Sequence, residues 1–240
     1  MSVAIVTGGG SGIGAALCRV LGEAGYQVAV ADLDVSAAEH IAAECGGKAF
    51  KVDVGDEASV VDLFAAAHGA FGRLDALATP AGIADTTPFA ELSVERWMQV
   101  YRVNVVGTWL CIREAVKYMK AGGRICTVSS VAGKRGGGLA GTAAYSASKG
   151  AVIALTRNAA RVFGPKGIAV NGVCPAGTAT PMGRYVMPTE EIEKQAIAAH
   201  PIGRIADPKE VAEAIAWLLS PKSSYVLGEM LNVDGGVMMD

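Results

Sequence analysis

Short apolar blocks alternate along the chain with longer amphipathic stretches, and this alternation predicts strand–helix units. Residues 3–6 are apolar without interruption, the pattern of a strand covered on both faces. The block runs into Thr7-Gly8-Gly9-Gly10-Ser11-Gly12-Ile13-Gly14, after which residues 15–23 read as a helix ended by Gly25. A second strand over 28–31 closes on Asp32, giving a βαβ unit whose crossover is expected to be right-handed. A helix over 36–44, opened by a capping box Ser36…Glu39, leads to a strand over 49–54. A helix over 58–70 and a strand over 74–78 follow, then the loop Thr79-Pro80-Ala81-Gly82. Residues 93–120 carry a long helical pattern with Asn104 and Gly107 in its middle, and 124–129 read as a strand. A glycine-rich loop through Gly136, Gly137 and Gly138 leads into a helix over 145–160. A strand over 169–173 then ends at Cys174-Pro175. Asp207-Pro208 with Glu210 forms a second capping box, and 230–233 are the last strand. Alternation of this kind predicts an α/β fold, a doubly wound parallel sheet with helices on both faces. No repeat, low-complexity tract or linker divides the chain, so residues 1–240 are expected to form a single domain.

Composition narrows the function classes. A hydrophobic fraction of 51% against 18% charged residues supplies a core on both faces of a sheet. The formal charge of −2 provides no footprint for nucleic acid or an anionic membrane. Five cysteines, Cys18, Cys45, Cys111, Cys126 and Cys174, are odd in number and widely spaced, the pattern of reduced, mostly buried thiols. His40, His68 and His200 have no zinc spacing, and no metal site is expected. The first apolar run has no basic region before it, and no block approaches the ~20 residues of a membrane span, so a cytoplasmic protein is expected.

Two clusters carry candidate chemistry. A glycine-rich turn between a strand and a helix lets the backbone approach a pyrophosphate, which the positive end of the helix favours. Asp32 lies 18 residues past Gly14, where a carboxylate can accept hydrogen bonds from a ribose diol. The same carboxylate repels a 2′-phosphate, and neither Ser11 nor Leu33 supplies a compensating cation, so NAD is preferred over NADP. At the other end of the chain, Tyr145 and Lys149 are four apart on one helix face. A cation beside a phenol favours the phenolate, which suits proton transfer to or from a substrate oxygen.

These residues occur in a fixed order: Thr7-Gly8-x-x-x-Gly12-x-Gly14, Asp53-Val54, Asn104 in Asn-Val-Val-Gly, Ser130, Tyr145-x-x-x-Lys149, Asn171-x-Val-x-Pro175 and Asn232-Val-Asp-Gly-Gly236. In that order the chain resembles the short-chain dehydrogenase/reductase family over essentially its whole length. The resemblance implies a Rossmann-type fold and hydride transfer between a nicotinamide and a secondary alcohol or ketone. It makes Tyr145 the proton donor or acceptor and gives Lys149 the nicotinamide ribose and the lowering of the tyrosine's pKa. Ser130, with Ser129 as alternate, polarises the substrate oxygen, and Asn104 interrupts its helix and holds a water that links Lys149 to solvent. Asp53 and Val54 border the adenine, while Thr178 and Thr180 hold the carboxamide and pyrophosphate. Gly8, Ser11, Gly12, Ile13, Gly14, Asp32, Leu33, Ala81, Gly82, Tyr145, Lys149 and Pro175 complete the implied cofactor contacts.

The chain departs from the family pattern at three places. Thr79-Pro80 stands where the family has Asn-Asn, which removes a backbone N–H and a side-chain amide. Ala176 follows Pro175 where the family has glycine. Ser130 lies 15 residues before Tyr145, about two more than usual, and the segment 134–141 is expected to absorb the extra length as a loop beside the substrate. Residues 180–205 match the family's substrate lid, with Met182, Tyr185, Val186 and Met187 as apolar material and a helix over 190–199. The substrate is expected to be a small-molecule secondary alcohol or ketone: a polyol, or a cyclic or aryl ketone. The resemblance also implies a homotetramer, with Ala151, Val152, Leu155 and Val237-Met238-Met239 as compatible contacts. Trp97, Trp109 and Trp217 read as core or interface, and His200 before Pro201 reads as structural. Two alternatives stay open: a 3-oxoacyl-thioester reductase using NADPH, and a nicotinamide-binding regulatory protein without catalysis.

Overall fold

In a computed structural model, which describes residues 1–137 and 143–239, strands and helices alternate as the periodicity predicts. β1 (Val3–Thr7) is buried at every position, and α1 (Gly12–Glu23) returns the chain to β2 (Gln27–Asp32). α2 (Val35–Cys45), β3 (Lys48–Lys51), α3 (Glu57–Phe71) and β4 (Leu74–Thr79) follow. α4 (Val94–Tyr101) and α5 (Gly107–Tyr118), joined by a π turn over Arg102–Val106, lead to β5 (Met119–Val128). α6 (Val131–Arg135) and α7 (Ala143–Phe163) precede β6 (Ala169–Pro175). α8 (Pro181–Val186), α9 (Glu190–Ala198) and α10 (Pro208–Leu219) lead to β7 (Met230–Val233).

Among the described residues the sheet has seven strands in the order β3-β2-β1-β4-β5-β6-β7, and every pair is parallel. Its two faces follow from the two-residue period of a strand. Along β1, Ala4 and Val6 join one core cluster with Leu17 of α1, Ile41 of α2 and Ile215 of α10. Ile5 between them faces the other cluster, with Phe64 of α3, Leu110 of α5 and Ala160 of α7. Each fully buried Leu or Phe stabilises the fold by about 1.5–3 kcal/mol relative to exposure. Strand order reverses between β1 and β4, the position where an open α/β sheet leaves a crevice at its carboxyl edge.

Several boundaries differ from expectation for local reasons. α2 is capped by Asp34, whose Oδ1 accepts from Ala37 N at 3.1 Å, so Ser36 lies inside the helix and makes no capping box. The expected strand over 49–54 ends at Lys51, because the Asp53 carboxylate turns the chain by accepting from Gly55 N at 2.8 Å. The long 93–120 pattern is divided by the π turn, and β5 begins earlier than expected, at Met119. The box at Asp207 forms as read: Glu210 Oε2 accepts from Asp207 N at 2.9 Å while Asp207 caps α10.

Candidate active site

The cleft opens at the carboxyl ends of β1 and β4. Gly8 has φ of +65°, and a Cβ on it would lie 2.8 Å from the backbone of Ala81, so the loops after β1 and β4 press together. Gly12, at φ +52°, would place a Cβ 3.2 Å from Thr180 Cγ2, which brings the lid's first residue over the turn. Ser11 is the N-cap of α1 and makes no side-chain cap bond, leaving the first-turn N–H groups available to an anion. Asp32 braces the turn: Oδ2 accepts from Gly10 N at 2.9 Å and Oδ1 from Asp34 N at 3.0 Å. Asp32, Leu33, Asp53 and Val54 wall one end of a cavity of about 480 Å³ that also takes in Ile13, Gly14 and Gly82 and reaches Ser130, Tyr145 and Lys149 at the other end.

α7 presents Tyr145 and Lys149 to that far end. Ser130 caps α6, its Oγ accepting from Ala132 N at 3.1 Å and lying 3.4 Å from Pro175 O, and it hydrogen-bonds the Tyr145 hydroxyl. Ser129, the alternate, also borders the cleft, but its buried hydroxyl donates to Lys149 O at 2.7 Å. Burial pushes the Tyr145 phenol up, and the Ser130 bond offsets only part of that. Lys149 Nζ lies 5.8 Å from the Tyr145 ring centre and donates to Val128 O at 2.8 Å. Its own burial pushes its pKa down to about 8, despite a raising effect from Cys174.

Asn104 sits in the π turn and is fully buried. Its Oδ1 accepts from Ile83 N at 2.8 Å, while Nδ2 donates to Ile83 O at 3.0 Å and to Ser148 Oγ at 3.0 Å. Ser148 Oγ in turn donates to Tyr145 O at 2.7 Å. Asn104 thus clips the loop after β4 to the helix that carries Tyr145. Gly82 lies between Asn104 and Lys149, where a Cβ would meet Asn104 Oδ1 at 3.1 Å and Lys149 Nζ at 3.4 Å.

The departures are accommodated by groups that no motif marks. The loop holding Pro80 leaves Thr79 Oγ1 buried with no hydrogen-bond partner among the described residues. Beyond the clip at Ile83, the loop is held by Arg96, which bonds Asp85 through Nε and Ala84 O through Nη2 at 2.9 Å. Asp85 is 2% exposed. Burial pushes its carboxyl up, but Arg96 and the Thr87 N–H and hydroxyl outweigh that and hold it below the usual carboxylate range. Ala176 fits without strain, since among the described residues only glycines have positive φ. Of the expected long loop, residues up to 135 end in α6, and residues 138–141 lie outside the described residues.

Thr180 caps α8, its Oγ1 accepting from Gly183 N at 2.9 Å, and Thr178 Oγ1 donates to Ala176 O at 3.1 Å; both line the cleft. Met182, Val186 and Met187 of the lid line it too, together with Ala84 and His200, whereas Tyr185 points to the surface. Among the contacts expected for assembly, Val152 is fully buried core and Leu155 packs against the second cluster. Val106 in the π turn, Trp109 on α5 and Trp217 on α10 are exposed instead. Among the described residues, no helix is long and apolar enough to cross a membrane.

The family model described as enoyl-(acyl carrier protein) reductase matches residues 8–238. The chain is 42% identical to the 2,5-dichloro-2,5-cyclohexadiene-1,4-diol dehydrogenase of Sphingobium indicum, over 97% of this chain and 95% of that one. It is also 42% identical to the cis-4-hydroxycyclohexanecarboxylate dehydrogenase of Sinomonas cyclohexanicum, over 98% and 95%. A solved short-chain dehydrogenase/reductase of Brucella melitensis, described as a glucose/ribitol dehydrogenase, superposes with a TM-score of 0.94 at 32% identity, over 100% of this chain and 97% of that one. Match, fold and the ordered motifs agree: the chain belongs to the short-chain dehydrogenase/reductase family, an oxidoreductase family to which its dehydrogenase relatives also belong.

Proposed function

We propose that the protein is an NAD-dependent dehydrogenase that interconverts a cyclic secondary alcohol and its ketone, with Tyr145 as general acid/base. The observation that carries this reading is the shared cleft: Ser130, Tyr145 and Lys149 converge at one end and Asp32 stands at the other. The two relatives named for cyclohexadiene-diol and hydroxycyclohexane substrates support a ring-shaped substrate body, as does the apolar wall of Ala84, Met182, Val186 and Met187.

The residues present fit a nicotinamide dinucleotide. The glycine turn and the free N–H groups of α1 suit its pyrophosphate, and Asp32 retains lone pairs for the adenosine ribose. A 2′-phosphate at about 4 Å from Asp32 would be repelled by about 4 kcal/mol per unit charge at an effective dielectric of ~20, which favours NAD. Asp53 and Val54 would flank the adenine, and Lys149 and Thr178 would hold the nicotinamide end. The bound nicotinamide supplies hydride transfer; the protein orients the substrate and manages the proton. Ser130 would donate to the substrate oxygen while the Tyr145 hydroxyl exchanges a proton with it. Lys149, with its pKa near 8, carries charge through the neutral range and is the cation available to stabilise the phenolate. The Tyr145 phenol, raised by burial, is a competent acid for the reductive direction.

The exposed Val106, Trp109 and Trp217 support a homotetramer. The second reading is a 3-oxoacyl-thioester reductase using NADPH; the matching family model is described as another acyl-carrier-protein reductase, and Asp32 opposes this reading because its carboxylate repels a 2′-phosphate. The test is a fluorescence titration with NADH and NADPH, followed by a panel of cyclic alcohols monitored by nicotinamide absorbance. Tighter NADH binding and turnover of a ring alcohol are expected. Preference for NADPH with turnover of a 3-oxoacyl thioester would replace this reading with the second.

A further inference from the structure

We propose that His200 is a positioning residue that bolts the lid to the cleft floor after β6, and that only its neutral Nδ1–H form does so. The bolt would act in the dehydrogenase proposed above, but the contacts that carry it hold irrespective of that assignment. Nδ1 lies 2.6 Å from Ala196 O in α9, an oxygen that can only accept, so Nδ1 must carry the hydrogen. Gly177 N–H points at Nε2 from 3.1 Å, and a backbone N–H can only donate, so Nε2 must be bare. The two bonds together select one tautomer of the uncharged ring, which is 7% exposed.

The ring joins three segments. On the floor, a Cβ at Gly177 would lie 3.0 Å from His200 Cε1 and 3.0 Å from Ile205 Cγ2, so the loop approaches the ring with no side chain between them. That loop is also tied to the far end of the lid, with Ala206 N donating to Gly177 O and Ala179 N to Ala206 O, each at 2.9 Å. On the third side Ile202 N donates to Gly235 O at 3.1 Å, which fixes the lid to the turn after β7. Ala176, Gly177 and Thr178 line the cleft with Tyr145, so the bolt bears on the reacting end of the site.

The charged groups on these segments are engaged elsewhere or lie at the surface. Glu190 pairs with Lys194 at 2.8 Å, Glu191 accepts from Gln195, and Arg204 pairs with Glu210 at 2.7 Å. Asp234 accepts from Gly236 N and Met238 N, Glu193 is exposed, and residues 176–180 carry no charge. Protonation of Nε2 would set a second donor against Gly177 N–H and replace attraction by repulsion.

The test is amide hydrogen exchange of the peptide containing Gly177, with substrate KM measured in parallel, for the wild type, His200→Leu and His200→Gln. The glutamine Oε1 can take the place of Nε2 as an acceptor that does not titrate. The Leu variant is expected to exchange about tenfold faster at about pH 8 and to raise KM with little change in kcat. The Gln variant, which keeps an acceptor for Gly177 N–H, is expected to hold protection and KM within about threefold of wild type. Unchanged protection in the Leu variant, or protection lost equally in the Gln and Leu variants, overturns the proposal. If no alcohol is turned over yet protection depends on His200 as stated, the dehydrogenase reading fails and the bolt stands.

Discussion

Arg96→Leu would leave the Asp85 carboxylate buried with its main counter-charge gone. Asp85 is 2% exposed and Arg96 is 33% exposed, so the carboxylate pays nearly full desolvation while solvent reaches the guanidinium. Breaking a buried pair costs ~3–5 kcal/mol, and the partial exposure of Arg96 places this case at the lower end, about 3 kcal/mol. At ~2–4 °C per kcal/mol for a chain of this size, Tm should fall by about 6–12 °C. The pH dependence fixes the cause. In the native protein the Asp85 carboxyl is held below its usual range, so its contribution is present above the unfolded pKa of about 3.9 and lost as pH falls through the folded value. Without Arg96 the Thr87 N–H and hydroxyl still oppose burial, but burial, the largest cause, is expected to outweigh them, so the carboxyl rises and the variant takes up a proton on folding. Its deficit should therefore shrink between about pH 7 and about pH 5. Asp85→Asn on top of Arg96→Leu should recover part of the loss at neutral pH. Thermal melts of the three proteins at both pH values decide the matter. A Tm within about 2 °C of wild type, or a deficit independent of pH, would refute the reasoning.

Tyr145→Phe should lower kcat at least ~100-fold in either direction while NADH affinity stays within about threefold, since it removes a proton and leaves the cradle intact. Asp32→Ala should shift the NADPH-to-NADH affinity ratio toward NADPH by about tenfold or more, read by fluorescence titration; an unchanged ratio would take discrimination away from this carboxylate. Lys149→Met should abolish turnover and stabilise the ligand-free protein at neutral pH. The folded-state pKa near 8 lies below the unfolded value of about 10.4, so the penalty is full below pH ~8 and relieved as pH rises toward ~10.4. A variant melting below wild type at neutral pH would contradict this.

How much the sequence disclosed depended on whether a feature is periodic and local. β7 matches its expected bounds, 230–233, and β1 gains only Thr7, because both are short apolar runs bounded by polar or glycine residues. The capping box at Asp207 was equally legible, being a three-residue relation. The π turn was legible only through the family resemblance, which has Asn104 interrupt its helix; the apolar pattern of residues 93–120 alone reads as one helix. Asp85 and Arg96 are 11 residues apart in a loop and a helix, a separation no period marks. The same holds for His200, whose partner Gly177 offers only a backbone N–H. For Tyr145, helical spacing reports that Lys149 is adjacent and not how dry the site is.

The π turn also sets the chain's angular phase. A continuous α-helix turns about 100° per residue, so a five-residue turn shifts everything after it by close to one residue. Val100 before the turn is buried, and so are Leu110, Cys111 and Ala115 after it. Deleting one residue between Tyr101 and Gly107 would straighten the segment and rotate one half by about that angle. Either Asn104 would swing away from Ile83 or the apolar stripe of α5 would leave the sheet. The active-site amide and the core stripe are thus held in register by a single extra residue.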